Sequence, residues 1–163
     1  MRRRVEAQVD LLRHVGRLAA RIQTVRDVGL IVRAGLELRR VRRLLAGGSL
    51  PEVVAGLDQP ASAPWAYVRP ERIRRCVDTV LLRSGSARRN PCLFRALLLY
   101  SLLHRHGAAP ELCFGIRRRM GELVGHCWLM LDGRPVTDAR DAMEQYAVTF
   151  SSKEHVGKLA RVR

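Results

Sequence analysis

Three side chains in the C-terminal half of this 163-residue chain are of the types that acyl-transfer chemistry uses: Cys92, His126 and Asp138. A cysteine attacks a carbonyl as its thiolate, an imidazole takes and returns the proton, and a carboxylate holds the imidazole in one tautomer. Cys92 follows Asn90-Pro91, a helix-start signal. Asn suits the N-cap, and Pro suits the first helical position because its missing N–H is not needed there. Cys92 thus falls in the first turn of a helix, where unpaired N–H groups and the helix dipole favour a thiolate. Taken alone, a cysteine is more often a small core residue. His126 stands in Gly125-His126-Cys127-Trp128, with Trp128 and Met130 on the same face of a strand. A single strand histidine is usually structural. A helix-start cysteine followed in the chain by a strand histidine is, however, a known way to build a thiolate–imidazolium pair.

The orienting acid can be sorted by geometry. Asp132 has the parity of His126, but six residues at about 3.3 Å each set it roughly 20 Å away, so it is a turn residue. Asp138 lies on the return strand. A strict two-residue loop pairs Leu131 with Arg134 and puts Asp138 opposite Cys127, on the wrong face. A three-residue loop or a bulge instead puts it facing Trp128, one diagonal step from His126 and about 7–8 Å away between backbones. The triad therefore predicts an odd loop or a bulge after Leu131. Asp141, in Ala139-Arg140-Asp141, is a rival acid.

The other reactive types have plainer readings. Cys76, Cys92, Cys113 and Cys127 form no C-x-x-C pair, which argues against a disulfide scaffold or a structural zinc site. Cys113, His126 and Cys127 invite a metal reading, but neighbouring strand residues point to opposite faces, so His126 and Cys127 do not share an ion. His104 and His106 close a helix whose C-terminus favours cations. There is no glycine-rich phosphate loop, and neither a metal nor a cofactor is expected.

The elements that must position these groups follow from periodicity. Residues 5–46 are helical in pattern, with Leu11, Val15, Leu18, Ile22 and Val25 recurring at steps of three and four between arginines. Gly16, Gly29 and Gly35 predict a break into two or three helices ending near Gly47-Gly48. Residues 47–70 carry Pro51, Pro60, Pro64 and Pro70 and predict a loop with at most a short helix at 50–57. A helix over 71–83 turns Ile73, Val77, Val80 and Leu81 inward. The apolar run from Cys92 to Leu103 predicts a helix buried on most sides and stopped at Gly107. The period then changes to two, with Leu112, Phe114 and Ile116 on one face. A turn at Met120-Gly121 leads to a strand over 123–131, and Asp132-Gly133 signals a hairpin with a return strand over 134–138. The order predicts an α+β fold: N-terminal helices, then a buried cysteine helix packed on an antiparallel sheet.

Charge is the most extreme feature of the composition, with Lys+Arg 30 against Asp+Glu 15, a formal +15. Such a balance raises nucleic acid, an anionic surface or an acidic partner as ligands. All the lysine is Lys153 and Lys158, however, and an arginine-rich, lysine-poor chain is also what GC-rich coding writes. No run approaches the roughly 18 consecutive apolar residues that a spanning helix requires. Met1-Arg2-Arg3-Arg4 is followed by a stretch broken by Glu6, Gln8 and Asp10, which lacks the apolar region of a signal peptide. A reduced, cytoplasmic protein is the expectation.

Asn90-Pro91-Cys92-Leu93-Phe94-Arg95-Ala96-Leu97-Leu98-Leu99-Tyr100 resembles the cysteine helix of the lasso peptide biosynthesis B2 proteins. These are small bacterial cysteine proteases of the transglutaminase-like (papain-like) superfamily. The likeness continues in Leu102-Leu103-His104-Arg105-His106-Gly107, in Phe114-Gly115-Ile116-Arg117-Arg118 and from Gly125-His126-Cys127-Trp128 to Pro135-Val136, and it covers about residues 70–140. It implies a single domain with a variable helical part over 1–69, a transglutaminase-like catalytic core over 70–150 and a basic tail over 151–163. It further implies Cys92 as nucleophile, His126 as general base and Asp138 as the third member, with the Cys92 backbone N–H contributing to an oxyanion hole. The implied activity is removal of the leader from a ribosomally made precursor peptide. The implied partners are that precursor's leader region, a separate B1-type leader-recognition protein and an ATP-dependent lasso cyclase that closes the macrolactam ring. A transglutaminase-like acyltransferase with the same triad is the alternative enzyme reading. A basic binding module in which Cys92 is merely core is the non-enzymatic one, with nucleic acid as the weaker candidate partner.

Overall fold

The computed structural model describes residues 25–58, 68–84, 90–136 and 144–153. Among them are four helices and one four-stranded antiparallel sheet, the expected α+β class. Helix α1 (Val25–Gly47) runs unbroken through Gly29 and Gly35. No break occurs at Gly29 or Gly35 because one face buries Leu30, Ala34, Leu38 and Val41, and Gly16 lies outside the described residues. That packing outweighs the roughly 1 kcal/mol of helix propensity each glycine gives up. Helix α2 (Leu50–Leu57) begins with a capping box. The Glu52 carboxylate accepts the Ser49 backbone N–H at 2.7 Å and the Ser49 hydroxyl at 2.8 Å.

Helix α3 (Pro70–Ser84) buries Ile73, Val77 and Leu81 as expected, together with Cys76 and Thr79. Val80, expected inside, is only half-buried at the edge of the core. Helix α4 (Pro91–Arg105) starts at Pro91 after Asn90 and is buried without interruption from Ala96 to Leu103. It stops at His106-Gly107, where Gly107 takes a φ of +79°.

Strand order in the sheet is β3-β2-β1-β4. Strands β1 (Glu111–Arg119) and β2 (Glu122–Leu131) pair around Met120-Gly121, and β2 pairs with β3 (Arg134–Pro135) around Asp132-Gly133. All four turn residues have positive φ, the requirement of a tight two-residue hairpin loop. Leu131 pairs with Arg134 and Met130 with Pro135, and the Val136 N–H donates to the Leu129 carbonyl at 2.9 Å. The loop is strictly two residues, so the expected odd loop or bulge after Leu131 does not occur through Val136. Strand β4 (Ala147–Ser151) pairs with the other edge of β1, with a register shift between Phe114 and Gly115. This strand was not expected, although Val148-Thr149-Phe150 has the β-branched and aromatic composition of one.

Helix α4 lies at the centre, packed against α1, α3 and the β2–β1 face of the sheet. One continuous core joins Ala34, Leu38 and Val41 with Val53, Val54 and Leu57, with Ile73 and Val77, with α4, and with Leu112, Cys127 and Leu129. Polar links cross it. The Arg72 Nε donates to buried Asp27 at 2.6 Å, tying α3 to α1. Buried Glu37 accepts the Ser101 hydroxyl at 2.6 Å, tying α1 to α4, and Arg95 pairs with Asp78 at 2.9 Å between α4 and α3. No helix among the described residues is long and apolar enough to cross a membrane.

Candidate active site

Cys92 is the second residue of α4, in the first turn, as the Asn-Pro signal predicts. Asn90 occupies the N-cap position with an extended φ of −147°, but its side chain makes no capping hydrogen bond. The first-turn N–H groups are therefore not claimed by the cap side chain, which is the arrangement that favours an anion at this helix end. Cys92 is half-buried, whereas Cys76, Cys113 and Cys127 are buried. None of the four is in a disulfide. Cys113 and Cys127 sit on opposite faces of the sheet, since Cys127 belongs to the α4 core and Cys113 packs with Trp128.

His126 lies mid-way along β2, opposite Gly115 on β1. Its half-buried ring is held by two aromatic neighbours: Trp128 stacks at 6.0 Å between centroids with 22° between planes, and Tyr146 tilts against it at 5.2 Å. Trp128 and Tyr146 touch one another at 6.2 Å, and the Arg117 guanidinium lies 4.7 Å over the Tyr146 ring. Gly115 makes the shelf possible. A Cβ there would stand 2.8 Å from Trp128 Cη2 and 2.9 Å from Tyr146 Cβ, closer than carbon atoms approach. Tyr146 is the neighbour that sequence reasoning missed; it lies 20 positions beyond His126, on the approach to the unexpected strand β4.

Strand alternation fixes the side on which this shelf stands. Cys127 and Leu129 face α4, while His126 and Trp128 turn to the other face, with Cys113, Met130 and Tyr146. The elements carrying Cys92 and His126 thus pack directly on one another, but His126 occupies a β2 position turned away from the body of α4. Asp138 and its rival Asp141 lie outside the described residues.

A second polar cluster sits at the far end of α4, about 18 Å along the helix from Cys92. There the Tyr100 hydroxyl donates to Asp58, and His104 Nε2 stands 3.5 Å from the same carboxylate. They line a cavity of about 540 Å³ with Glu111, Met130, Asp132, Ser152 and Lys153. Burial pushes the His104 imidazole below its ordinary range, and Asp58 pulls it back only in part. The neutral imidazole is thereby favoured in this contact. For His104 this runs against the cation role expected at a helix C-terminus. His106 is buried at the C-cap. Among the described residues, no cysteine lines the cavity.

The model of one family, described as the transglutaminase-like superfamily, matches residues 28–151. That span takes in α1 from Val28 onward, α2, α3, α4 and the whole sheet. No curated protein and no solved structure gives a significant match.

Proposed function

Because this chain belongs to the transglutaminase-like superfamily, we propose that it is a cysteine endopeptidase that removes the leader from a ribosomally made lasso peptide precursor. Members of the superfamily are typically cysteine-based enzymes. The observation that carries the reading here is Cys92: a half-buried, free thiol in the first turn of the central helix α4, which packs on the strand bearing His126.

In the proposed reaction the Cys92 thiolate attacks the scissile carbonyl while first-turn N–H groups, that of Cys92 among them, receive the developing oxyanion. The tetrahedral adduct collapses, the C–N bond breaks, and imidazolium His126 gives its proton to the leaving amine. Neutral His126 then takes a proton from water, whose oxygen attacks the thioester. The products are a carboxylate, an amine and the restored thiol. Asp138 holds the imidazole tautomer, which requires the chain to leave the strict β2–β3 register after Val136. His126 stands on the sheet face turned away from the body of α4, so the proposed pair requires thiol and imidazole to approach one another around the N-terminal end of the helix. A B1-type leader-binding protein presents the precursor, and an ATP-dependent cyclase takes the released core peptide.

The test is cleavage of a precursor in the presence of the leader-binding protein, read by mass spectrometry. Cys92→Ala abolishes cleavage while leader-complex binding persists, and His126→Ala lowers the rate by roughly 10²–10⁴-fold. Cleavage that survives Cys92→Ala overturns the mechanism. Products carrying a new amide or ester rather than added water assign the same residues to acyl transfer. Salt-sensitive nucleic-acid binding that is indifferent to Cys92, with no cleavage, assigns a binding module instead.

A further inference from the structure

Helix α1 has two apolar faces, and the fold uses one of them. Leu30, Ala34, Leu38 and Val41 are buried in the domain. On the outer side Val28, Val32 and Leu36 recur every four residues and are 47%, 56% and 57% exposed. Between them a Cβ on Gly29 would meet nothing within 4 Å. Single exposed aliphatics are ordinary, but three aligned along one helix face form a continuous stripe.

Along α1, Val25, Gly29, Val32 and Leu36 follow one another at alternating steps of four and three. That alternation is the seam of a heptad repeat, in which one helix receives the side chains of another. It ends in Arg39 and Arg43, both exposed. The α1 positions flanking the seam are Arg26, Val28, Arg33 and Gly35, with no carboxylate among them. The one acid within residues 11–36 is Asp27, which is buried against Arg72.

We propose that the outer face of α1 docks an amphipathic helix of another protein, with apolar residues along its own heptad seam and Glu or Asp at the flanking positions. Charge selects this occupant. A second copy of the chain, itself +15, offers arginines and no flanking carboxylates. A lipid surface is matched less well by a narrow row of valine and leucine that lacks aromatic anchors. Gly29 leaves a hole in the seam, so the partner places a bulky residue opposite it. This surface does not depend on the peptidase reading.

The experiment uses the full chain with a fluorescent peptide of about four heptads bearing Leu at the seam and Glu at the flanks, and a twin with Lys at the flanks. The Glu peptide binds at least about tenfold tighter than its Lys twin, and raising salt from about 50 to about 500 mM weakens it at least tenfold. The double variant Val32→Ser, Leu36→Ser loses that binding, while its melting temperature and the activity dependent on Cys92 stay unchanged, because both side chains are exposed. Four results overturn the proposal. They are equal or absent binding of the two peptides, no effect of the double variant, a wild-type dimer in sedimentation that the double variant dissociates, and association with anionic phosphatidylserine vesicles that the double variant abolishes.

Discussion

At the scale of single residues, exposure separates Cys92 from the three other cysteines, all of which are buried. Brief alkylation of the native protein at neutral pH therefore modifies Cys92 first, and peptide mass mapping reads the order. Equal labelling of Cys76, Cys113 or Cys127 would contradict the placement. Gly115 is the less obvious residue of the site. It touches no substrate in the proposed reaction, yet a methyl group there collides with Trp128 and Tyr146, the two rings that hold His126. Gly115→Ala is expected to cost about 1–3 kcal/mol of stability by overpacking. It should also lower cleavage beyond the loss of folded protein, because the His126 ring loses its shelf. Thermal melting and a rate normalised to folded protein distinguish the two effects. A variant with full stability and full activity would show that the shelf is not needed.

Between elements, the helices are joined by buried charge as well as by apolar packing. Asp27 is buried on α1, and Arg72 on α3 donates to it at 2.6 Å. Removing one member of such a pair leaves a desolvated charge, which usually costs more than the intact pair contributes. Arg72→Met is accordingly expected to destabilise by about 3 kcal/mol, and Asp27→Asn with Arg72→Met together by less than the sum of the two single changes. Additive losses in denaturant unfolding would mean that the two residues act separately. The β2–β3 hairpin shows how a local signal can outrank a functional expectation. Asp132-Gly133 accommodates two positive φ values and closes a two-residue loop, so the pairing stays in strict register through Val136. An Asp138 alongside His126 needs an extra residue in this hairpin, and the turn dipeptide leaves none through Val136.

For the whole molecule, the burial of ionisable groups sets a pH window. Burial, reinforced by Asp27, pushes the Cys76 thiol up to about 11, and burial with the Asp58 hydrogen bond raises Tyr100 as well. A group whose folded pKa lies above its unfolded value stabilises the fold at lower pH, and that contribution disappears as pH rises through the folded value. Stability is therefore expected to fall between about pH 9 and about pH 11, and Cys76→Ala should flatten that decline in melting temperature. His104 acts in the opposite sense. Its imidazole is held below the ordinary value, so its share is present above the ordinary histidine range and is lost as pH falls through it. An unchanged alkaline decline in Cys76→Ala would assign it to other groups. The amino-acid sequence by itself determined what neighbouring residues decide among themselves: the start of α4 at Asn90-Pro91, and hence Cys92 in its first turn, the stop at Gly107, the two-residue turns and the α+β order. Those features rest on local dihedral preferences and hydrophobic period. Only the tertiary structure decided that α1 runs through its glycines, that Val148-Thr149-Phe150 adds a fourth strand, that Tyr146 reaches His126, and that His126 faces away from the body of α4. Each of these depends on contacts between segments far apart in the chain, and no local preference encodes which distant partner a face will meet.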